Sequence, residues 1–593
     1  MTYITLPVPK IKARELNLKV HDLALATGLH PVIAKILASR PIEEHNLENI
    51  IEPKISLLEH PEKMQDVNRA AKRLTTAIIN KECIGIETDH DCDGQTSHAV
   101  IYHNLTRHFK HPKNLIKSYI GHRLTEGYGL SEPVVERILR DHPRASLIIT
   151  ADNGSSDEPR IAKLKACGID VIITDHHQIP STGIPESAYA WINPTRKDCN
   201  YDPYIAGCMV AWLLMVATRL ELIKVGYLEK NAPKLQDTLD YVAVGTVADC
   251  VSFAKSHINR AVVRFGLQLI NARDKCCWQA LNKILPIDQL IDAEDLGFKI
   301  GPLLNSDGRL SSAFGSVSFL LSESVLEAEN WLQHLQEQNV VRRSIQKKIT
   351  LQGLAQAKSQ ADANRSSICI FLPDGHVGVH GISASRIKDH FGRPTAFFAP
   401  KIGEEQLITG SLRGIEFFNV REALQYVADQ ESNLLIAFGG HRGAGGVTLR
   451  VGDFNKFAEL FEEAAQKQLN SMNLGPVIWS DGILTADLIN LKFFNDLKTL
   501  EPFGRDFESP IFHNIVRIHN IKIIGDGTHA RLDLDINGRI FKAVWFSMRY
   551  GVEEPCLFAK DDEVVCAFSL CENNFNNQKT CELQIIGMHV NRT

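Results

Sequence analysis

Three aspartates alternate with other residues in the segment DHDCDG at 89–94, directly after an apolar run. Alternate side chains of an extended chain point to the same side, so the carboxylates of Asp89, Asp91 and Asp93 are predicted to face one another. Carboxylates crowded in this way raise one another's pKa unless a cation neutralises them. Hard divalent ions such as Mn2+ and Mg2+ prefer oxygen ligands. The segment therefore predicts a divalent metal site, whereas an EF-hand calcium loop would need a glutamate where the chain has Val100.

Three later segments add further carboxylate and imidazole groups. TDHH at 174–177 contains Asp175, His176 and His177, ADNG at 151–154 contains Asp152, and GTVAD at 245–249 ends in Asp249. Each segment alone is a modest signal, because single acids and paired histidines are common on protein surfaces. Taken with the DHDCDG segment, and placed at strand ends of one Rossmann-like domain, they supply the ligands that two adjacent divalent ions require.

The elements that would position these groups are apolar runs of four to eight residues, separated by helix-length segments. The runs are CIGIETD, SLIITAD, VIITDHH and AYAWINP. Such runs, rich in Ile, Val and Thr, predict a parallel sheet built from βαβ units. The first three lead directly into an aspartate, and ligands bind beyond the carboxyl ends of parallel strands. The acids are therefore expected to converge at one edge of the sheet.

The rest of the chain divides into segments of different pattern. We expect a helical lead-in over residues 1–80, an α/β domain over 81–321, a long connecting helix over 322–364, a smaller α/β domain over 365–472 and a β-barrel over 473–593. Short alternating strands broken by turn residues favour an OB-like barrel for the last segment. Trp545 and Phe546 lie in one of these strands, where barrel core is the favoured interpretation and base stacking the alternative.

Composition restricts the class of protein. Of the 593 residues, 44% are hydrophobic and 23% charged, which is typical of a globular protein rather than a disordered or fibrous one. The N-terminus lacks the apolar core of a signal peptide, and no run of about 18 apolar residues is present, so we expect a cytoplasmic protein without a membrane partner. Thirteen cysteines without a CxxC pair argue against a zinc ribbon or a disulfide scaffold. A basic run from Arg107 to Arg123 contains no acid, and either a substrate groove or a solvated surface explains it.

The four acidic segments, in this order, resemble the DxDxDG, DNG and DHH motifs of the DHH phosphoesterases. Other segments resemble the RecJ exonucleases within that superfamily: HRLTEGYGL at 122–130, GISASR at 381–386, GSLR at 410–413, GGH at 439–441 and LEPFG at 500–504. The resemblance spans nearly the whole chain. It implies a DHH domain for the first α/β segment, a DHHA1 domain for the second and an OB-fold at the C-terminus. The activity implied is 5′-to-3′ hydrolysis of single-stranded DNA to 5′ mononucleotides, in DNA recombination and repair.

Residue by residue, the resemblance implies a set of roles. Two ions, Mn2+ or Mg2+, would be held by Asp89, Asp91, Asp93, Asp152, His176 and Asp249, with Asp152 as the bridge. The catalytic set would be Asp152, His177 beside the scissile phosphate and Asp175 orienting the imidazoles. Arg123, Arg309, Ser411 and Arg413 match positions that hold a terminal 5′ phosphate, and His441 belongs to the GGH motif of a domain that closes over the substrate. We expect a monomer that receives its substrate from a helicase and a single-strand-binding protein.

Three positions depart from the family pattern, and other functions stay open. Leu303 and Asp307 alter the segment that ends in GRL at 308–310, and Arg442 interrupts the small residues after GGH. A nanoRNase or cyclic-dinucleotide phosphodiesterase would need only the DHH and DHHA1 segments, so the longer chain counts against it. A catalytically silent scaffold for replication or repair would be marked by lost metal ligands, and every ligand position is present.

Overall fold

The computed structural model describes residues 7–180, 183–310, 312–470, 472–549, 556–575 and 578–590. The chain forms two compact units that are not continuous in sequence. One unit, here the catalytic unit, comprises Arg40–Arg342 and Glu501–Glu508, and the other, the accessory unit, comprises the chain up to Ser39 with Arg343–Leu500 and Ser509–Thr593.

The described residues contain nineteen α-helices and seventeen strands. The helices are α1 (Leu18–Ala26), α2 (Pro31–Ala38), α3 (Leu47–Ile51), α4 (Val67–Ile79), α5 (Cys92–His103), α6 (Glu132–Arg140), α7 (Glu158–Ala166), α8 (Gly207–Lys224), α9 (Leu239–Ala248), α10 (Asn259–Ala272), α11 (Cys276–Ala280), α12 (Ala293–Asp295), α13 (Gly301–Leu310), α14 (Phe314–Leu321), α15 (Val325–Asp362), α16 (His380–Phe391), α17 (Val420–Gln430), α18 (Phe454–Leu469) and α19 (Leu491–Lys498). The strands are β1 (Lys10–Ala13), β2 (Ile84–Thr88), β3 (Ile116–Ile120), β4 (Leu147–Ala151), β5 (Asp170–Thr174), β6 (Ala190–Ile192), β7 (Ile368–Phe371), β8 (Thr395–Lys401), β9 (Glu404–Arg413), β10 (Ala437–Gly440), β11 (Ala444–Arg450), β12 (Val477–Ser480), β13 (Phe512–Ile524), β14 (His529–Ile536), β15 (Arg539–Trp545), β16 (Glu563–Phe575) and β17 (Gln578–Val590).

The catalytic unit is built on a five-stranded sheet of order β3-β2-β4-β5-β6, in which every neighbouring pair is parallel. Strands β2 and β4 are buried along their whole length, which explains why they read as continuous apolar runs rather than alternating ones. The chain order reverses between β2 and β4, and open sheets of this order bind ligands at that point, beyond the carboxyl ends of the strands. The predicted parallel α/β sheet is confirmed.

Strand β3 was not predicted, because its sequence IKSYI lies within the basic run. The structure shows that this run is partnered by acids from distant segments. Arg107 and Lys113 both bond to Glu323, and Lys117 lies 3.5 Å from Asp141. These ion pairs favour the solvated-surface interpretation of the run over the substrate groove.

The accessory unit contains the second α/β domain and the barrel. Its first sheet has the order β10-β11-β9-β8-β7, with β7 and β8 parallel and the remaining pairs antiparallel. Strands β13-β14-β15-β17-β16 close into a barrel, which confirms the predicted OB-like architecture. Helix α15 runs for 38 residues, and the division between the two units falls inside it, between Arg342 and Arg343.

Two details differ from the sequence-based expectations. The lead-in is not entirely helical, because β1 pairs in parallel with β12. In the barrel, Trp545 is half-buried and packs against Phe558 at 5.7 Å between ring centroids, whereas Phe546 follows the end of β15 and is 55% exposed beside His529. The core interpretation is therefore wrong for Phe546. Among the helices of the described residues, none has the length and apolar content needed to cross a membrane.

Candidate metal centre

The DHDCDG segment forms a turn from strand into helix. Strand β2 ends at Thr88 and α5 begins at Cys92, so Asp91 is the N-cap, and its Oδ1 accepts the N–H groups of Asp93 and Gly94 at 3.0 and 3.1 Å. The expectation of alternating side chains on an extended strand is wrong here, since Asp93 lies in the first turn of the helix. Gly94 is required, because a Cβ at this position would lie 2.3 Å from the carbonyl oxygen of Asp89.

Asp93 is fixed by the N-terminus of a second helix. Its carboxylate accepts the N–H groups of Gly207 and Cys208 at 2.7 and 2.9 Å, in the first turn of α8. Helix N-termini favour anions, which suits a carboxylate that is almost fully buried. A Cβ at Gly207 would approach Asp152 to 2.9 Å, so this close packing requires glycine.

Asp152 follows β4, next to Asp89 after β2 across the point where the chain order reverses. It is 2% exposed and has a φ of 64°, a left-handed conformation that aspartate and asparagine tolerate better than most residues. Burial, together with the charges of Asp93 and Asp91, raises its pKa well above the usual range. A buried, strained and crowded carboxylate is typical of a functional site.

His176 lies among three carboxylates. Its Nε2 is 3.2 Å from Oδ1 of Asp152, 3.5 Å from Oδ2 of Asp249 and 3.7 Å from Oδ2 of Asp93. Asp249 reaches this position from the C-cap of helix α9, so the expectation that it follows a strand is wrong. Burial and the charge of Asp93 outweigh the attraction of His176 and raise the pKa of Asp249 to about 7.

Asp175 holds the second histidine. Its Oδ1 accepts from the backbone N–H groups of His176 and His177 and lies 2.8 Å from Nδ1 of the His177 ring, while Oδ2 accepts from Ser155. Burial opposes protonation of His177, but the hydrogen bond and charge of Asp175 prevail and raise its pKa to about 10. Asp175 therefore contacts the ring of His177 directly and the backbone N–H of His176.

These groups form three overlapping sets whose ligand atoms lie within 4.8 Å of one another. The sets are Asp89, Asp91 and Asp152; Asp93, His176 and Asp249; and Asp152, His176 and His177. Among the described residues, Oδ1 of Asp152 and Nε2 of His176 are buried without a hydrogen-bond partner. Buried polar atoms ordinarily have partners, and a cation bound by both atoms, which lie 3.2 Å apart, would satisfy them. The donor set, carboxylates with imidazole, fits a pair of hard divalent ions, and Asp152 is shared between two of the sets.

Arg123 and Arg309 lie near the DHDCDG segment in the same unit, and Arg342 lies near Arg309. Burial and the like charges of Arg123 and Arg342 lower the pKa of Arg309 to about 10. Arg123 lies 5.3 Å above the ring of Tyr128, which in turn packs against His90. Crowded guanidinium groups favour an anion, and their planar forks suit a phosphate. The sequence identified Arg123 and Arg309 but not Arg342, because the middle of a long helix carries no signal for such a role.

The remaining predicted residues belong to the accessory unit. Arg413 donates to Oγ of Ser385 at 3.1 Å and to Oγ of Ser411 at 2.9 Å, and a Cβ at Gly381 would approach both Ser411 and Arg413. The GISASR and GSLR segments thus meet around one guanidinium group. His441 follows β10 on the surface, where its Nδ1 accepts from the N–H of Gly443.

The three departures lie in different surroundings. Leu303 is buried in the core of the catalytic unit. Asp307 is 1% exposed. Its Oδ2 accepts the N–H of Gly315 at 2.9 Å, and its Oδ1 lies 3.1 Å from Nε2 of His334. Asp307 therefore links α13 to the start of α14 and to α15. The side chain of Arg442 is exposed, and its carbonyl oxygen accepts from Val420. None of these changes removes a group from the centre.

Comparison with known proteins agrees with this architecture. Three family models match the chain: the DHH family, N-terminal domain, over residues 83–246, the DHHA1 domain over 365–467 and the RecJ OB domain over 480–587. The fold and the centre therefore define a phosphoesterase of the DHH type.

Curated relatives identify the family within the DHH phosphoesterases to which the chain belongs. The single-stranded-DNA-specific exonuclease RecJ of Haemophilus influenzae is 30% identical over 588 residues, covering 97% of this chain and 98% of the relative. The protein of the same name from Escherichia coli K12 is 31% identical, covering 95% of this chain and 96% of the relative. The chain belongs to the RecJ family. The crystal structure of RecJ in complex with Mn2+ from Thermus thermophilus shares the fold, with a TM-score of 0.77 at 23% identity over 98% of this chain and 80% of that one.

Proposed function

We propose that this protein is a metal-dependent exonuclease that degrades single-stranded DNA from the 5′ end and releases 5′ mononucleotides, in DNA recombination and repair. The observation that carries the proposal is that Asp152 and His176 each belong to two of the three ligand sets. Both residues lie beyond the strand ends of a parallel sheet. Relatives that cover nearly the whole chain are named single-stranded-DNA-specific exonucleases, and structural neighbours were crystallised with Mn2+ or Mg2+.

We assign the ligands of two divalent ions to Asp89, Asp91, Asp93, Asp152, His176 and Asp249. When bound, such ions would activate water and stabilise the charge that develops on a phosphoryl group. Three of the proposed ligand carboxylates are held in place by the backbone. Asp91 and Asp93 accept backbone N–H groups of α5 and α8, and the left-handed backbone of Asp152 fixes its carboxylate. Preorganised groups of this kind need little rearrangement as the reaction proceeds.

His177 is assigned to the scissile phosphate. Its ring is more than half exposed, and the bond from Nδ1 to Asp175 leaves Nε2 as the second polar atom of the ring. This second nitrogen can donate to a phosphoryl oxygen. Asp175 is then a positioning residue, since its contacts are to histidines and to the backbone.

Recognition of a 5′ phosphate is assigned to Arg123 and Arg309, with Arg342 contributing positive charge. The family resemblance assigns Ser411, Arg413 and His441 to the same substrate from the accessory unit. The OB-like barrel would bind the strand further along, with the exposed ring of Phe546 available for base stacking. We further propose a monomer that acts in the cytoplasm with a helicase and a single-strand-binding protein.

The first experiment compares substrates. Single-stranded DNA labelled at either end, a matched duplex and a diribonucleotide are incubated with Mn2+ or with EDTA. Mn2+-dependent release of mononucleotides from the 5′ end of the single strand is the expected result. Preference for the diribonucleotide would indicate a nanoRNase, and absence of cleavage from all substrates would indicate a scaffold.

A second experiment tests the phosphate assignment. Arg309→Lys keeps the charge but removes the planar fork, so the preference for 5′-phosphorylated over 5′-hydroxyl ends should fall about tenfold, the cost of one charge-assisted hydrogen bond. Arg140→Lys, on an exposed part of α6, is the matched control. Equal activity losses on both kinds of end would contradict the assignment.

A further inference from the structure

A second cluster of metal-ligating side chains lies at the far end of α5, outside the centre described above. His103, His108 and Asp237 each offer one ligand atom, and these atoms lie within 4.8 Å of one another. Nε2 of His108 is 3.1 and 3.0 Å from the two carboxylate oxygens of Asp237, and Nε2 of His103 is 3.3 Å from Oδ2. We propose that these three side chains bind one Zn2+ ion, separate from the two ions of the nuclease centre.

The backbone is irregular where it presents the two histidines. Residues Asn104–His108 continue α5 as a π-helix, in which the N–H of Phe109 bonds to the carbonyl of Asn104, five residues earlier. In an α-helix, side chains five residues apart would diverge by about 140°. The wider turn instead places both imidazoles on the same carboxylate. Single π turns within helices are frequent at functional sites, which agrees with a ligand at this position.

The distances and donor types suit zinc. With bonds of about 2.0 to 2.2 Å, neighbouring ligand atoms of a tetrahedral zinc lie about 3.3 Å apart, close to the distances from each imidazole to the carboxylate of Asp237. Two imidazoles with one carboxylate favour Zn2+ over Mg2+ or Mn2+, which prefer oxygen. The histidine side chains are 18% and 15% exposed and that of Asp237 is 44% exposed, so water can complete the coordination.

The neighbouring positive charge does not prevent binding. The ammonium group of Lys275 bonds to the carbonyl oxygen of Asp237 and to Oδ1 of Asp240, both at 2.7 Å, and it lies over the ring of Tyr241. The carboxylate of Asp240 therefore offsets this charge.

A zinc ion here would join the two helices that supply ligands to the nuclease centre. Asp237 lies in the turn that leads into α9, and Asn104 donates to Oγ1 of Thr238 in the same turn. Asp93 lies at the opposite end of α5, and Asp249 at the opposite end of α9. The ion would thus stabilise the frame of the centre without taking part in its chemistry.

The test uses the full chain with excess Mg2+ present, so that the oxygen-rich centre is occupied, and Zn2+ as the probe. Bound zinc is measured by mass spectrometry after gel filtration, and Tm is measured against added Zn2+. The wild type should retain one more zinc per chain than the variant His103→Gln/His108→Gln and should gain about 5 °C at a hundredfold excess over Kd. Asp237→Asn, which keeps an oxygen acceptor for the histidines, should also lose the zinc. This variant replaces the double variant in the test if the double variant does not fold.

Both variants should keep the Mn2+-dependent nuclease rate, because neither position belongs to the nuclease centre. Equal zinc content and equal Tm response in the wild type and in a folded variant would overturn the proposal and leave a hydrogen-bonded triad. Zinc lost together with Mn2+ dependence would overturn it as well, since the ion would then belong to the nuclease centre.

Discussion

The substitution Asp152→Asn tests the two-ion centre most directly. Asparagine preserves the size of the side chain and tolerates the left-handed φ of 64°, whereas Asp152→Ala would add about 1–2 kcal/mol of backbone strain. The asparagine variant therefore separates loss of a ligand from loss of structure. Because it also removes one of several crowded carboxylates, its metal-free form should be at least as stable as the wild type.

The size of the expected stability loss follows from the linkage between metal binding and folding. An ion at a hundredfold excess over Kd stabilises the folded state by about 2.7 kcal/mol, and Asp152→Asn should lose most of this stabilisation because Asp152 belongs to two of the three ligand sets. Metal ions contribute several kcal/mol to the transition state, and 1.36 kcal/mol corresponds to a tenfold change in rate. The cleavage rate should therefore fall by at least about a thousandfold.

The assay is Mn2+-dependent release of mononucleotides from labelled single-stranded DNA, with Tm measured in Mn2+ and in EDTA. Asp288→Asn, which neutralises an exposed carboxylate of the same unit, is the matched control. If Asp152→Asn kept either a wild-type rise of Tm in Mn2+ or more than about a tenth of the activity, the assignment of Asp152 as the bridge would be refuted.

Two further predictions concern buried polar groups of the catalytic unit. The ring of His98 lies 2.9 Å from Oγ of Ser118, and burial lowers its pKa to about 3, so it stays neutral in the folded protein. Its contribution to the free energy of unfolding is therefore complete above about pH 6.5, the usual pKa in an unfolded chain, and is lost as the pH falls. Between pH 7 and pH 5 the wild type should lose about 2 kcal/mol more than His98→Gln in denaturant titrations, and parallel curves would contradict this. Asp307→Ala should lower the free energy of unfolding by about 2–4 kcal/mol, because it removes the acceptor for Gly315 and His334. Asp307→Asn should lower it less. A wild-type Tm for the alanine variant would show that these two contacts do not stabilise the fold.

Sequence patterns sufficed where a residue's role depends on its own segment. An apolar run followed by an aspartate identified β2, β4 and β5 and the acids after them, since parallel strands end at a common edge. The pattern failed where the position is set by packing between distant segments. Asp249 comes from a helix end, Arg342 from the middle of a long helix, and the partners of Asp307 lie on other helices. Strand β3 escaped prediction because edge strands carry polar residues.

The centre must hold like charges together before any cation is bound, and the structure shows how it does so. Asp91 and Asp93 each accept two backbone N–H groups, and Asp175 accepts three more beside its bond to the ring of His177. A hydrogen bond to a charged group is worth about 1.5–3 kcal/mol, enough to offset repulsion between neighbouring carboxylates at short range. The donors to Asp91 and Asp93 belong to the N-termini of α5 and α8, so the positions of these carboxylates are set by the fold rather than by the ion. Binding then costs little reorganisation, so the affinity for metal depends mainly on the carboxylates themselves, and the site can exchange ions without unfolding.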